Sequence, residues 1–447
     1  MRVSVVGTGY VGLVSGAGLA DAGHHVVCVD VDAEKVELIN SGVPPIFEDG
    51  LEDQLQRVVG DRLSATTDLR AAVLGSDLTL IAVGTPFDGQ HIDLGYVREA
   101  SRQIGEALRD KDGYHVVVVK STVVPGTTVD VVLPVLEEAS GKRAGEDFGV
   151  GMNPEFLAEG AAVVDFTRPD RIVLGGIDER SQDALAELFA PFADATTVRT
   201  DPTTAEMIKY TANSLLATMI SFSNEIGNLC AEVGVDVVDA MAGVHLDKRL
   251  SPVQPDGSRV RPGFLSFLAA GCGFGGSCFP KDVKALVAYG QDHGHPMPLL
   301  DAVITTNAAQ PGRVLDLLRE HVPSLAGTRV TVLGMAFKPG TDDVRESPSL
   351  PVTAALLRAG AVVTAYDPVA QDTAARVVGD DVVFATTLAE ALDGADAVLL
   401  MTRWAEFERV PAVLRDLGQQ PVVVDGRRLL PKDSVARYTG IGLRSSR

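Results

Sequence analysis

The glycine-rich stretch GCGFGGSCFPKD, residues 271–282, holds the residue types best suited to covalent chemistry in this chain. Cys278 stands in this turn, and Lys281 and Asp282 follow it by three and four residues. Glycines let a backbone approach a ligand closely, and a thiolate is a strong nucleophile whose pKa falls near positive charge. Because the chain also opens with a dinucleotide-binding turn, the loop indicates oxidation of an alcohol or aldehyde through a thioester.

The opening turn follows a short apolar strand and reads GTGYVG at residues 7–12. Its glycines suit a tight turn, a close approach to a pyrophosphate and the packing of a helix on a strand. Asp30 ends the next strand, where an acidic residue favours the ribose hydroxyls of NAD over the 2′-phosphate of NADP. Lys35 could touch the adenosine ribose or be an ordinary solvated helix lysine. The predicted NAD-binding turn comprises Gly7, Gly9, Tyr10, Val11 and Gly12.

Three further strand ends carry polar residues, and ligands bind at the carboxyl ends of strands in open α/β sheets. Thr85 and Thr122 each follow an apolar run and can line the cofactor crevice, although an ordinary cap or turn is the alternative. Glu155 and Glu159 lie four residues apart in NPEFLAEG, so on a helical turn they would share a face. One could act as a base that activates water, whereas solvated glutamates are the plainer interpretation.

Two pairs of residues, a lysine with an asparagine and a lysine with an arginine, suggest contacts with anionic groups. Lys209 and Asn213 are four residues apart on a helical stretch and could stabilise an oxyanion, or they could be a surface pair. Lys338 and Arg345 lie in AFKPGTDDVRES, a turn that lacks the glycine fingerprint and could hold a nucleotide diphosphate by charge.

Apolar runs alternate with helical stretches through the first 200 residues, which favours a parallel sheet with helices on both faces. Residues 201–240 then predict one long helix, or two nearly continuous ones, capped by Asp201 or Thr203. This element is a candidate for connecting domains and forming a dimer. The proline-rich residues 250–263 predict a loop, and a helical region follows from Lys281 to about His321.

From Thr328 the pattern of the first domain returns, since LLRAGAVVTAYDP echoes LADAGHHVVCVD. The sequence therefore predicts an α/β protein with two Rossmann-like doubly wound domains joined by a long central helix. The predicted division is an N-terminal NAD-binding domain at 1–200, a central helical dimerisation region with the cysteine loop at 201–325, and a C-terminal Rossmann-like domain at 326–447 that could bind a nucleotide.

Composition excludes several classes of function. The formal net charge of −21 disfavours nucleic-acid binding. No apolar stretch reaches the roughly 18 residues that a membrane span needs, and the first apolar run predicts a strand rather than a signal peptide. Four cysteines are not a disulfide framework, and their spacing does not indicate a metal site. Cys28 and Cys230 are predicted core residues, and a reducing, cytoplasmic location follows.

Four motifs in order resemble the UDP-glucose/GDP-mannose dehydrogenase family over nearly the whole chain. They are GTGYVG, NPEFLAEG with DFTRPDRIVLG, GFGGSCFPKD and AFKPGTDDVRES. The resemblance implies two hydride transfers to two NAD⁺, which oxidise a sugar C6 alcohol to a carboxylate. It also implies that a cysteine captures the intermediate aldehyde, that the second oxidation yields a thioester, and that water releases the acid.

The resemblance also implies roles for individual residues. Cys278 would be the nucleophile, Asp282 would handle protons, and Lys209 with Asn213 would stabilise oxyanions. Thr122 and Glu155 would assist water, Glu159 would lie near NAD, and Lys281 and Arg345 would meet the cofactor. The implied substrate-binding set is Glu155, Phe156, Leu157, Lys209, Asn213, Arg249, Phe267, Leu268, Gly271, Gly275 and Lys338.

One departure from the family pattern affects the expected substrate. A proline-rich insertion separates Arg249 from Phe267, and the family's arginine at this turn reaches a neighbouring subunit's substrate site. Arg249 is the first choice for that role, with Arg259 and Arg261 as rivals. Residues 169–171, PDR, favour the UDP-glucose branch and hence UDP-glucuronate as product. The alternatives are dTDP-glucose, GDP-mannose or a UDP-N-acetylhexosamine as substrate, a non-catalytic sugar-nucleotide sensor, and a two-electron alcohol dehydrogenase.

Overall fold

The computed structural model describes residues 1–444 and divides into two compact units, one of residues 1–212 and one from residue 213 onward. The division falls inside a single helix of 32 residues, α9 (Pro202–Val233), which follows eight helices of the first unit. Asp201 caps this helix, since its carboxylate accepts hydrogen bonds from the backbone N–H and the hydroxyl of Thr204. The prediction of one long helix is confirmed, whereas the three-part domain division stays a prediction.

The first unit is built on an eight-stranded sheet of order β3-β2-β1-β4-β5-β6-β7-β8. Its strands are β1 (Arg2–Val6), β2 (His25–Val29), β3 (Leu63–Thr66), β4 (Leu78–Ile81), β5 (Val116–Val119), β6 (Gly149–Met152), β7 (Arg171–Gly176) and β8 (Thr196–Thr200). Its helices are α1 (Tyr10–Asp21), α2 (Ala33–Asn40), α3 (Leu51–Val58), α4 (Leu69–Gly75), α5 (Gly95–Arg109), α6 (Leu133–Ser140), α7 (Ala162–Thr167) and α8 (Glu179–Leu188), and a π-helical turn, Thr128–Val132, precedes α6.

Helices cover both faces of this sheet, as its apolar strands require. Along β1, Val3 and Val5 pack into one buried cluster and Val6 packs into the other. The predicted parallel sheet with helices on both faces is confirmed, and it contains one antiparallel pair, β6 with β7, in which Gly151 lies opposite Gly176. Apolar alternation shows where strands are, but the same side-chain pattern suits either direction.

The second unit contains a six-stranded parallel sheet of order β11-β10-β9-β12-β13-β14. Its strands are β9 (Arg329–Leu333), β10 (Val362–Tyr366), β11 (Val382–Phe384), β12 (Ala397–Leu400), β13 (Val422–Asp425) and β14 (Tyr438–Gly440). Its helices after α9 are α10 (Val237–His245), α11 (Phe279–Asp292), α12 (Pro298–His321), α13 (Ser349–Arg358), α14 (Gln371–Val378), α15 (Leu388–Leu392) and α16 (Val410–Asp416).

The two sheets share one strand order over six strands, which confirms the duplication predicted from sequence. Gly7 and Gly334 hold equivalent turns, with φ of +96° and +95°. Each donates its N–H to the carbonyl that ends the neighbouring strand, on Val29 and Tyr366, at 2.8 Å. A positive φ is a conformation that glycine adopts at little cost, so both turns depend on it.

The stretch between α10 and α12 differs in detail from expectation. Residues 250–263 form the predicted loop, tied by one antiparallel bridge between Val253 and Arg259. The predicted helical region is two helices, α11 and α12, separated by residues 293–297. In residues 1–444, no helix combines the length and the apolar character that a membrane span requires.

Candidate active site

The dinucleotide turn between β1 and α1 is shaped by its three glycines. A Cβ on Gly7 would lie 2.7 Å from the carbonyl oxygen of Ala82, and one on Gly12 would lie 1.9 Å from that of Gly7. At Gly9 the same position has no described atom within 4 Å, and no described side chain caps the first turn of α1. Open space beside uncapped N–H groups fits the pyrophosphate of a dinucleotide.

Asp30 lies beside this turn at the carboxyl end of β2. Its carboxylate accepts hydrogen bonds from the backbone N–H of Thr8 at 2.9 Å, from the Thr8 hydroxyl, and from the backbone N–H of Asp32 at 3.0 Å. Burial alone would raise the pKa of Asp30, but these bonds hold it below its ordinary value. An ionised, oriented acceptor fits ribose hydroxyls, and Lys35 lies half-buried on the neighbouring helix α2.

Replacing Asp30 by serine is expected to raise the KM for NAD⁺ by about 10- to 100-fold, because hydrogen bonds to a charged acceptor are lost. The same change should narrow the preference for NAD⁺ over NADP⁺, since the repelling charge is gone. The kcat/KM for both cofactors measures the effect. Asp32→Ser is the matched control, since serine can still cap α2 as Asp32 does. Equal use of both cofactors by the parent protein would contradict the role of Asp30.

The loop after β5 brings Thr122 next to Thr85. The Thr85 hydroxyl donates to the Thr122 carbonyl oxygen at 2.9 Å, and the Ser121 hydroxyl donates to the Val83 carbonyl oxygen at 2.7 Å. Thr85 and Ser121 are buried, whereas Thr122 is half-buried. Two strand ends that the sequence singled out separately are therefore joined at one edge of the sheet.

A buried ion pair connects the loop after β6 with α9. Lys209 Nζ lies 2.8 Å from Glu155 Oε1, and the two side chains are 4% and 5% exposed. The second carboxylate oxygen of Glu155 accepts the backbone N–H of Leu157 at 2.6 Å. Burial alone would raise the pKa of Glu155, but Lys209 holds it below its ordinary value. Lys209 is thus no surface residue, and its partner is one of the two predicted carboxylates.

The expected helical turn at residues 155–159 is absent from the described chain, because this segment is irregular between β6 and α7. Glu155 is buried and Glu159 is half-buried, so the two glutamates do not share a helix face. Phe156 lies between cations, with the Arg171 guanidinium 3.8 Å and Lys209 Nζ 5.6 Å from its ring centroid. Glu155 and Glu159 therefore lie in different environments, the first buried beside Lys209 and the second half-buried.

Two further charged residues, to which the sequence gives no role of their own, contact residues of the loop after β6. Lys120 directly follows β5, is 3% exposed and donates to the side-chain oxygen of Asn153 at 2.8 Å. Burial lowers the pKa of Lys120 to about 8, with Glu155 opposing and Lys209 adding to that shift. A lysine directly after four valines was the available signal.

The second residue is Glu48, whose carboxylate accepts the backbone N–H groups of Gly160 at 2.6 Å and Ala162 at 2.7 Å. The Glu48 carboxylate also accepts a hydrogen bond from the hydroxyl of Tyr10. Glu48 therefore connects the segment after Glu159 to the dinucleotide turn. Burial and this bond raise the pKa of Tyr10. Nothing in the local sequence around Glu48 indicates these distant partners.

In the second unit, Cys278 stands at the N-terminal cap of α11, half-buried, with its Sγ 3.7 Å from the Ser277 hydroxyl oxygen. Its carbonyl accepts the backbone N–H of Asp282 at 2.8 Å. The positive end of a helix macrodipole stabilises a neighbouring anion, which suits a cysteine that must act as a thiolate.

Asp282 lies one turn along α11 and is 1% exposed. The Asn213 side-chain amide donates to one of its oxygens at 2.6 Å, and Lys281 Nζ lies 2.6 Å from the other. These two contacts hold the Asp282 carboxylate in the first turn of the helix that Cys278 caps. Within the second unit the structure therefore brings together Cys278, Asp282, Lys281 and Asn213.

The glycines of the cysteine loop pack against protein. A Cβ on Gly275 would lie 2.2 Å from the Glu346 carbonyl oxygen, and the Gly276 N–H donates to the Arg345 carbonyl at 2.8 Å. Gly271 is held through its N–H by Asn224 at 2.7 Å. The close approach that Gly275 permits is thus to the chain itself, and its predicted contact with substrate stays a prediction.

The remaining predicted residues range from exposed arginines to a buried leucine. The Arg345 side chain is 63% exposed and makes paired hydrogen bonds with Asp343, and Arg249, 84% exposed, pairs with Asp247. Arg259 donates from one nitrogen to the carbonyl oxygens of Leu246 and Ser251, so it holds the insertion in place. Lys338 and Phe267 are half-buried, and Leu268 is buried.

A doubly wound sheet with a dinucleotide turn, and a second such sheet preceded by a cysteine at a helix N-terminus, define an NAD-dependent dehydrogenase. The chain matches three domains described for one family: its NAD-binding domain over residues 1–193, its central domain over 203–309 and its UDP-binding domain over 331–432. The chain belongs to the UDP-glucose/GDP-mannose dehydrogenase family.

Individual relatives agree over the full length. The chain is 46% identical to UDP-glucose 6-dehydrogenase AglM of Haloferax volcanii, over 99% of this chain and 100% of that one. It is 39% identical to a GDP-mannose 6-dehydrogenase of Pseudomonas putida, over 99% and 100%. A solved UDP-glucose dehydrogenase from Pyrobaculum islandicum superposes with a TM-score of 0.88 at 40% identity, covering 99% and 97% of the two chains.

Proposed function

We propose that this protein oxidises the C6 alcohol of UDP-glucose to the carboxylate of UDP-glucuronate. The observation that carries the proposal is the cysteine at the start of α11, one turn before a buried carboxylate held by Asn213 and Lys281. NAD⁺, when bound, accepts one hydride in each of two oxidations. A dehydrogenase that stopped at the aldehyde would have no use for this nucleophile.

The proposed chemistry uses the chain's own groups in sequence. Loss of hydride and of the hydroxyl proton converts the C6 alcohol to an aldehyde, and the Cys278 thiolate then adds to it. Loss of a second hydride turns the resulting thiohemiacetal into a thioester, which water cleaves to the acid and the free thiol. Covalent capture keeps the aldehyde from escaping between the two oxidations.

Lys209 and Asp282 take the electrostatic and proton-transfer roles in this proposal. Negative charge develops on the C6 oxygen in both oxidations and in hydrolysis, and a desolvated cation stabilises it far more than a solvated one. The 4% exposure of Lys209 supports that role. Asp282, with Asn213, would accept the proton from alcohol or water, and Thr122 with Glu155 would assist the water.

The choice of UDP-glucose rests on the relatives and on one motif. The Haloferax volcanii UDP-glucose 6-dehydrogenase matches at 46% identity over 99% of this chain, whereas GDP-mannose 6-dehydrogenases match at 39% over 99% and at 43% over 82%. The PDR segment at residues 169–171 agrees, and its Arg171 stacks on Phe156. The sugar-nucleotide contacts assigned to Phe156, Leu157, Phe267, Leu268, Gly271, Gly275 and Lys338 are part of the proposal, as are the cofactor contacts of Glu159, Lys281 and Arg345.

Purified protein should produce two NADH per UDP-glucose and a product with the mass of the uronic acid. The same assay with dTDP-glucose, GDP-mannose and UDP-N-acetylglucosamine tests the base and the sugar. Activity with one of these three nucleotide sugars but not with UDP-glucose would support the proposed reaction on a different substrate. It would also assign the 250–263 insertion a role in specificity. One NADH per substrate would favour a two-electron dehydrogenase, and binding without turnover would favour a sensor.

We also propose a homodimer formed through α9. Four large apolar side chains on this helix are between 51% and 62% exposed: Leu215, Phe222, Leu229 and Val233. Their spacings of seven, seven and four residues place them along one stripe of the helix. The same stripe on a second copy of the chain would bury these side chains. Analytical sedimentation at micromolar concentration should give the mass of two chains or a multiple of it.

The state of the cysteines and the nature of the product support a cytoplasmic enzyme that supplies an activated sugar. None of the four cysteines forms a disulfide within residues 1–444, which suits the reducing cytoplasm. A uronic acid attached to a nucleotide is an activated sugar, so the step that consumes it would be glycosyl transfer, as in polysaccharide synthesis.

A further inference from the structure

A buried carboxylate on α9 has no part in the chemistry described so far. Glu206 lies one helical turn before Lys209 and is 0% exposed. One oxygen accepts the backbone N–H of Gly126 at 2.6 Å, and the other accepts both the N–H of Thr128 at 2.8 Å and its hydroxyl at 2.6 Å. Three donors thus converge on a single side chain.

The donors belong to the segment that carries Thr122. This segment leaves β5, passes Thr122 and reaches Gly126 four residues later, and the π-helical turn begins at Thr128. Thr85 holds the Thr122 carbonyl on one side, and Glu206 holds the other end of the segment. Local insertions of π-helix are frequent at functional sites.

Burying a carboxylate opposes folding unless its hydrogen bonds are satisfied. Burial raises the pKa of Glu206 to about 7, while the bonds from Thr128 and Gly126 oppose that shift and the carboxylate of Asp130 adds to it. A cap for the π-helical turn could come from a local serine or threonine at lower cost. Glu206 instead reaches from an element 78 residues away in sequence, and that element carries Lys209.

We propose that Glu206 is a positioning residue that sets the Thr122 segment against the Lys209 turn of α9, which rests on the function proposed above. The hydrogen bonds of Glu206 to Gly126 and Thr128 form a clamp between two segments. One segment carries the Thr122 hydroxyl and the other carries the Lys209 cation, and both groups are assigned to the reaction. Misplacing a catalytic group by about 1 Å can lower a rate about 100-fold. Glu206 itself touches neither substrate nor cofactor in this assignment.

Glu206→Gln keeps the shape of the side chain but replaces one acceptor oxygen with a donor that faces N–H groups. We expect kcat to fall about 10- to 100-fold while the KM values for UDP-glucose and NAD⁺ change less than about threefold. Thr128→Val removes only the hydrogen bond from the Thr128 hydroxyl to Glu206 and should lower kcat by a smaller factor. Thr128→Ser keeps a hydroxyl at this position and should have a kcat close to that of the parent. Glu225→Gln, at an exposed position of α9, is the matched control.

Hydrogen exchange of the peptide covering residues 120–132 tests the clamp without any turnover. The amides of Gly126 and Thr128 should exchange at least about tenfold faster in Glu206→Gln than in the parent or in Glu225→Gln. Unchanged exchange there would overturn the clamp, even if the parent had no activity with UDP-glucose. Faster exchange with an unchanged kcat in an active parent would overturn the positioning role, and restored kcat in Thr128→Ser would support it.

Discussion

Cys278→Ser is expected to lower the release of acid product by at least about 1,000-fold. A serine hydroxyl is a much weaker nucleophile than a thiolate at neutral pH, and an ester is harder to hydrolyse than a thioester. The variant should therefore accumulate either the aldehyde or a protein-bound ester. Intact-protein mass spectrometry after incubation with UDP-glucose and NAD⁺ distinguishes the two.

Cys272→Ala is the matched control for this experiment. Cys272 lies in the same glycine-rich loop but is 0% exposed, with its thiol directed to the Met401 carbonyl oxygen at 3.6 Å. Burial raises the pKa of Cys272, so this thiol is suited to packing rather than attack. The control should keep two NADH per substrate; normal steady-state turnover by Cys278→Ser would refute the thioester mechanism.

Lys209→Met should have the second-largest effect, because it removes the cation assigned to the developing oxyanion. We expect kcat to fall about 100- to 1,000-fold, the range found when a preorganised oxyanion donor is removed. Steady-state kinetics with UDP-glucose and NAD⁺ measures it. Thr211→Ala, an exposed position on the same helix, serves as the control and should keep parental rates.

The same variant also tests the ion pair as a structural element. Removing one partner of a buried pair leaves the other charge uncompensated, and we expect unfolding to become easier by about 3–5 kcal/mol. Lys209→Met/Glu155→Gln should recover much of that stability but not the activity. If the double variant regained turnover, Lys209 would act only through the fold.

The sequence alone determined the class of the fold and the main reactive groups. The glycine turn at residues 7–12, the repeated strand–turn–helix pattern and the helical periodicity of 201–233 are local signals, because backbone conformation and amphipathicity are set within a few residues. Cys278 was found in the same way, since its glycine-rich surroundings lie beside it in the chain.

The tertiary structure alone decided which charged residues meet. Glu155 could have been solvated, yet it pairs with Lys209, and Glu48 and Glu206 each collect backbone N–H groups from segments 78 to 114 residues away. It also decided that Gly275 faces Glu346 and that β7 runs against β6. A buried charge looks like a surface charge in sequence, because what distinguishes them is the set of distant partners that compensates the loss of water.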